Sequence, residues 1–185
     1  MEREKLLMGL YGNIIKVEIT QKMRDKARKM SDEILATDIV KNTPNYTGLN
    51  EPNRFYYGFI GETVIWKLLY ERNKKYIYDP KTDGKPDKGD FLVSINGENI
   101  DIDVKISPKN YASRILVPIT QYQRRPHKYY IGGKIVEGEV WIYGYCEYNE
   151  LKADNSANFK VPPMSKKLVE LKPIESLLLK IDNKT

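Results

Sequence analysis

One cysteine and one histidine are all that these 185 residues provide. Cys146 alone cannot build an internal disulfide framework or a zinc cluster, so the chain reads as a protein of a reducing cytoplasm. His127 has no serine or cysteine constellation around it in sequence. This argues against a nucleophilic triad and against a histidine-rich metal site. No uncharged run approaches the roughly 18 residues of a membrane span, and Met1-Glu2-Arg3-Glu4-Lys5 lacks the apolar stretch of a signal peptide. No membrane partner is expected. Internal repeats, low-complexity tracts and linkers are also lacking, and the chain reads as a single domain, 1–185. Two loop motifs fail on inspection. Asp83-Gly84-Lys85-Pro86-Asp87 has lysine at a ligand position of a calcium loop, and Lys88 replaces the glycine needed there. Gly132-Gly133-Lys134 lacks the earlier glycine and the following Ser or Thr of a phosphate loop, so ATP binding is not supported.

What is present begins with charge. Thirty-one Lys and Arg against 25 Asp and Glu give a net charge of +6, a modest excess that favours nucleic acid or another polyanion as partner. Residues 20–36 carry Met23, Ala27, Met30 and Ile34 at helical spacing, with Arg24, Lys26, Arg28 and Lys29 around them. That basic cluster is a solvated helix face or a surface that contacts phosphates. A second helix runs from about Asn53 to Arg72, with Phe55, Phe59, Ile65, Trp66 and Leu69 in one stripe. Glu62 lies within the stripe, where a lone carboxylate would cost several kcal/mol and therefore needs a partner, either a nearby cation or a metal site.

Near the middle, Asp90-Phe91-Leu92-Val93, the turn Asn96-Gly97, and Asp101-Ile102-Asp103-Val104-Lys105 spell a hairpin. Alternation sends Asp101, Asp103 and Lys105 to one face and Ile102, Val104 and Ile106 to the other. Two carboxylates and an ammonium gathered at such a place suit a divalent cation with a water beside it, the chemistry of metal-assisted hydrolysis.

Glu62 on a helix, Pro86-Asp87 and Gly89-Asp90 before a strand, and Asp103-x-Lys105 in the next strand resemble, in that order, the PD-(D/E)xK nuclease superfamily. The resemblance covers about 54–151, with a helical arm over about 1–53 and an extension over about 152–185. It implies a restriction-endonuclease-like α/β fold, a mixed central sheet flanked by helices. It also implies a DNA endonuclease of phage, mobile-element, restriction or repair type that uses Mg²⁺, with Mn²⁺ able to substitute. By the same resemblance, Asp90, Asp103 and the Val104 carbonyl would hold the ion, and Glu62 would bind through water or help hold a second one. Lys105 would act on the attacking water or on developing charge. Asp90 is favoured over Asp87 as the upstream ligand because it stands at the strand opening, and Asp101, at the turn end, is read as solvated. Related nucleases carry a glutamine after the third strand, here Gln121, for which a polar helix start is the alternative. Arg124, Arg125 and Lys128, and on the first helix Arg24 and Arg28, are the candidate DNA contacts. The layout is also similar to junction resolvases, and the sequence leaves the oligomeric state open, a homodimer among the options. The rivals are a non-catalytic DNA-binding module that keeps the fold and an RNA-directed nuclease.

Overall fold

The computed structural model describes residues 13–37, 49–78, 89–155, 159 and 161–184. Asp87 and the failed calcium-loop segment lie outside the described residues. Two sheets, four α-helices and two short 3-10 turns make up the described residues. The main sheet has six strands: β1 (Ile15–Glu18), β2 (Tyr76–Tyr78), β3 (Phe91–Ile95), β4 (Glu98–Ser107), β6 (Tyr129–Val136) and β7 (Glu139–Glu147). A smaller sheet consists of β5 (Arg114–Val117), β8 (Lys152–Ala153) and β9 (Met164–Lys167). The strand order is β1-β7-β6-β4-β3-β2 in the first and β5-β9-β8 in the second. Neighbours in the main sheet are antiparallel except β4 and β6, which run parallel.

Local chemistry sets the helices. In α1 (Gln21–Leu35) the Thr20 side chain accepts the Met23 N–H at the first turn, and Met23, Ala27 and Met30 are buried. In α2 (Glu51–Glu71) Asn50 accepts the Asn53 N–H, and Pro52 occupies the first turn, where its missing donor costs nothing. The helices α3 (Ile119–Arg124) and α4 (Ile174–Lys180) are short. None of the described helices is long and apolar enough to cross a membrane.

The β3–β4 hairpin turns at Asn96 and Gly97, both with positive φ, as the sequence expectation required. Asp182, from near the end of the chain, ties the turn down. Its carboxylate accepts from Ser94 Oγ (2.7 Å), Asn96 N–H (3.2 Å) and Gly97 N–H (2.9 Å).

The main sheet has a core on each side. On one face Ile102, Val104, Phe91, Val93, Ile131, Val140 and Ile142 pack with α1, α2 and α4. On the other, Tyr130, Tyr143 and Cys146 pack with Ile115, Val117, Leu151, Met164 and Leu168 around the small sheet. The result is a helical layer, a mixed six-stranded sheet and a second, partial sheet. The strands β1, β8 and β9 leave no pattern in the sequence. The first extends the main sheet from before residue 54 and the others build the small sheet from beyond 151.

Candidate active site

The small sheet matters because it covers the face of β4 that bears the charges. Ile102 and Val104 turn toward the helices, so Asp101, Asp103 and Lys105 turn the other way, under the second layer. Asp103 is consequently only 2% exposed, a burial that hydrophobic patterning gave no means to foresee. A buried carboxylate needs compensation. Lys105 Nζ faces Asp103 Oδ2 at 2.5 Å, and Gln121 Nε2 donates to Asp103 Oδ1 at 3.3 Å. Gln121 arrives because β5 leads through Pro118 directly into α3.

Asp90 stands at the opening of β3, as expected, but outside the regular strand. It stands at a bend before β3, where its N–H donates to the Ile102 carbonyl and its Oδ2 accepts the Val104 N–H at 2.7 Å. The carboxylate thus lies in the hydrogen-bonding plane of the sheet, where a continued β3 would have supplied a carbonyl. In a strand the N–H and C=O of one residue point to the same side. The Val104 carbonyl therefore faces the gap that Asp90 borders. Preceding it, Gly89 has φ +90°, and a Cβ there would sit 3.2 Å from His127 Nδ1 and 3.1 Å from the Ile102 carbonyl. Glycine is required at that point.

Glu62 belongs to the helical side of the sheet. Its Oε2 accepts from Tyr78 Oη at 3.3 Å, and its charge opposes the burial that lowers the basicity of Lys26. Burial first, and then the charges of Glu62 and Asp90, hold the Tyr78 phenol far above its ordinary range, so it remains a donor. Tyr78 is the group that senses both carboxylates. Among the described residues, no three His, Cys, Asp or Glu side chains are gathered closely enough to enclose a metal ion by themselves. The donor chemistry does fit a hard cation. Asp103 Oδ2 is buried against the Lys105 ammonium, and Asp103, Asp90 and the Val104 carbonyl offer only oxygen donors, the kind a hard cation prefers.

One expectation holds only in part and one group was missed. Asp101, a third exposed at its side chain, is held by partners as well as by solvent. Its Oδ2 lies 2.8 Å from His127 Nδ1 and its Oδ1 accepts the Lys128 N–H at 3.0 Å. Burial works to raise its pKa, but the His127 and Lys128 bonds outweigh it and hold the carboxyl below the usual range. His127 is itself 2% exposed, with Nε2 3.9 Å from Asp103 Oδ1. Parallel pairing of β6 with β4, Tyr129 against Ile102, brings residue 127 beside Asp101. The only trace of this in the sequence is that His127 stands two residues before a strand.

The remaining candidates are at the surface. Arg124 and Arg125 are exposed at the end of α3. Lys128 is exposed and lies 3.5 Å from Glu147. On α1, Arg28 stacks over the Tyr56 ring at 4.4 Å, whereas Arg24 is half-buried. Cys146 is buried and its thiol is pushed up to about 12, by burial first, so it is no nucleophile. No family model, curated protein or solved structure matches this chain.

Proposed function

We propose that this chain is a metal-dependent DNA endonuclease with a restriction-endonuclease-like core. The observation that carries the reading is the buried Asp103, flanked by Lys105 and Gln121, next to a backbone gap bordered by Asp90. Asp90, Asp103 and the Val104 carbonyl would hold Mg²⁺, or Mn²⁺ in its place, and Glu62 would contribute from the helical side. When bound, such an ion acidifies a water and neutralises phosphate charge.

The chain's own groups supply the rest. Lys105, a quarter exposed at its side chain, lies against Asp103 and reaches toward solvent, where a phosphate would approach. Gln121 holds one carboxylate oxygen and offers its remaining amide valences to a water or a phosphate oxygen. Arg124 and Arg125, at the end of the same short helix, and Lys128 would contact the DNA backbone. Arg24 and Arg28 would do so on the helical side.

Duplex, nicked, flapped, four-way and single-stranded DNA incubated with Mg²⁺ test the reading, with wild type compared with Asp103→Asn. Cleavage of at least one substrate, reduced at least about 100-fold by the substitution, is expected from loss of a group that acts in the transition state. Binding without cleavage of any substrate would favour the non-catalytic DNA-binding module, and equal cleavage by both proteins would refute the site.

A further inference from the structure

The Asp101–His127 pair has no part in the proposed hydrolysis, yet it is built into the same pocket. We propose that it is a positioning device for Asp103, in which Asp101 orients the imidazole and the imidazole, packed 3.9 Å from Asp103 Oδ1, limits where the carboxylate that meets the cation can turn. The inference rests on the nuclease reading for the role of Asp103.

The geometry is specific. Asp101 and Asp103 are two residues apart on one face of β4, and the ring stands between them. Nδ1 is 2.8 Å from Asp101 Oδ2, so that edge of the ring is committed to Asp101 and the Nε2 edge faces Asp103 Oδ1 at 3.9 Å. Other contacts hold the residue as well. The His127 backbone N–H donates to Tyr130 Oη at 3.1 Å, and the two rings meet edge to face at 5.9 Å. Gly89 leaves the space above Nδ1, since a Cβ there would crowd both the ring and Asp101 Cβ. Asp101 is itself fixed by the Lys128 N–H at 3.0 Å.

Asp103 is thereby bounded on both oxygens, by Lys105 at Oδ2 and by Gln121 and the imidazole at Oδ1. Without the ring, the carboxylate could rotate into the space that the ring fills and turn away from the gap beside Asp90. Groups that orient a metal-binding side chain in this way are worth about 10–100-fold in metal affinity or activity.

The test is Mn²⁺ binding to the full chain, read from the paramagnetic resonance of free Mn²⁺, with melting temperatures measured alongside. Wild type is compared with Asp103→Asn, Asp101→Asn, His127→Asn and His127→Gln. Glutamine can place its amide near the Nε2 position, whereas asparagine reaches only the Nδ1 position. Expected results are loss of binding in Asp103→Asn and affinity weakened about 10-fold or more in His127→Asn and Asp101→Asn. His127→Gln should recover at least part of the loss, a rescue that a merely structural role would not produce. If folded His127→Asn binds Mn²⁺ as wild type does, or if glutamine recovers nothing, the positioning role is refuted while the nuclease reading stands. Failure of wild type to bind Mn²⁺, or binding indifferent to Asp103→Asn, would overturn both.

Discussion

Two glycines three residues apart on α2, Gly58 and Gly61, should respond to alanine in opposite directions. A Cβ built at Gly58 meets nothing within 4 Å. Alanine there removes the glycine penalty in a helix and should stabilise the protein by about 1 kcal/mol. At Gly61 a Cβ would lie 2.6 Å from Ile106 Cγ1, 2.9 Å from Ile106 Cβ and 3.5 Å from Val104 Cγ1. Ile106 is β-branched and stiff at χ1, so it cannot swing aside cheaply. Overpacking of this kind costs about 1–3 kcal/mol, against which the helical gain is about 1 kcal/mol. A separation of about 2 kcal/mol between the two variants follows. Urea unfolding at 25 °C reads it as a higher midpoint for Gly58→Ala and a lower one for Gly61→Ala, with unchanged slopes. In melting temperature, each kcal/mol corresponds to about 2–4 °C at this chain length. Because Gly61 is where α2 rests on β4, next to Glu62, Gly61→Ala should also slow cleavage and Gly58→Ala should not. Equal stabilisation by both would refute the close approach of α2 to β4.

Lys105→Ala should cost more stability than Asp103→Asn, about 2–3 kcal/mol in urea unfolding, because it strands a buried carboxylate whereas Lys105 can reach water. Equal losses would show that removing Lys105 does not leave Asp103 stranded. Glu150 gives a pH test. Burial would raise its carboxyl, but the Glu147 N–H, Lys166 and Lys172 hold it down to about 2 from 4.5. A depressed folded-state pKa contributes stability above 4.5 that is lost as pH falls toward 2, so melting temperature should drop across that window and Glu150→Gln should flatten the drop. An unaltered slope in Glu150→Gln would place the acid sensitivity elsewhere. For DNA, Arg124→Ala with Arg125→Ala should weaken binding and flatten its dependence on salt by about one unit for each phosphate no longer neutralised. Arg24→Ala with Arg28→Ala should do less, since Arg28 already stacks on Tyr56. Binding abolished in the second pair alone would move the DNA track to α1.

Periodicity and turn chemistry are local, and what depends on them was legible in the sequence. The apolar stripe of α1, the long α2, the Asn96-Gly97 hairpin and the alternation of β4 follow from spacing and backbone preference, and the structure has them all. The strand β1 escaped because four residues are too few to show a period, and β8 and β9 exist only through pairing with one another and with β5. The candidate site divides in the same way. Asp103 and Lys105 share a face by alternation, and Gln121 follows β5, so both facts could be read along the chain. Three features required the tertiary structure. The small sheet buries Asp103, a bend swings the Asp90 carboxylate onto the Val104 N–H, and the parallel β4–β6 pairing sets His127 against Asp101. Each depends on how segments far apart in sequence meet or on how a strand ends, and a residue's period along its own strand carries no information about what lies across from it.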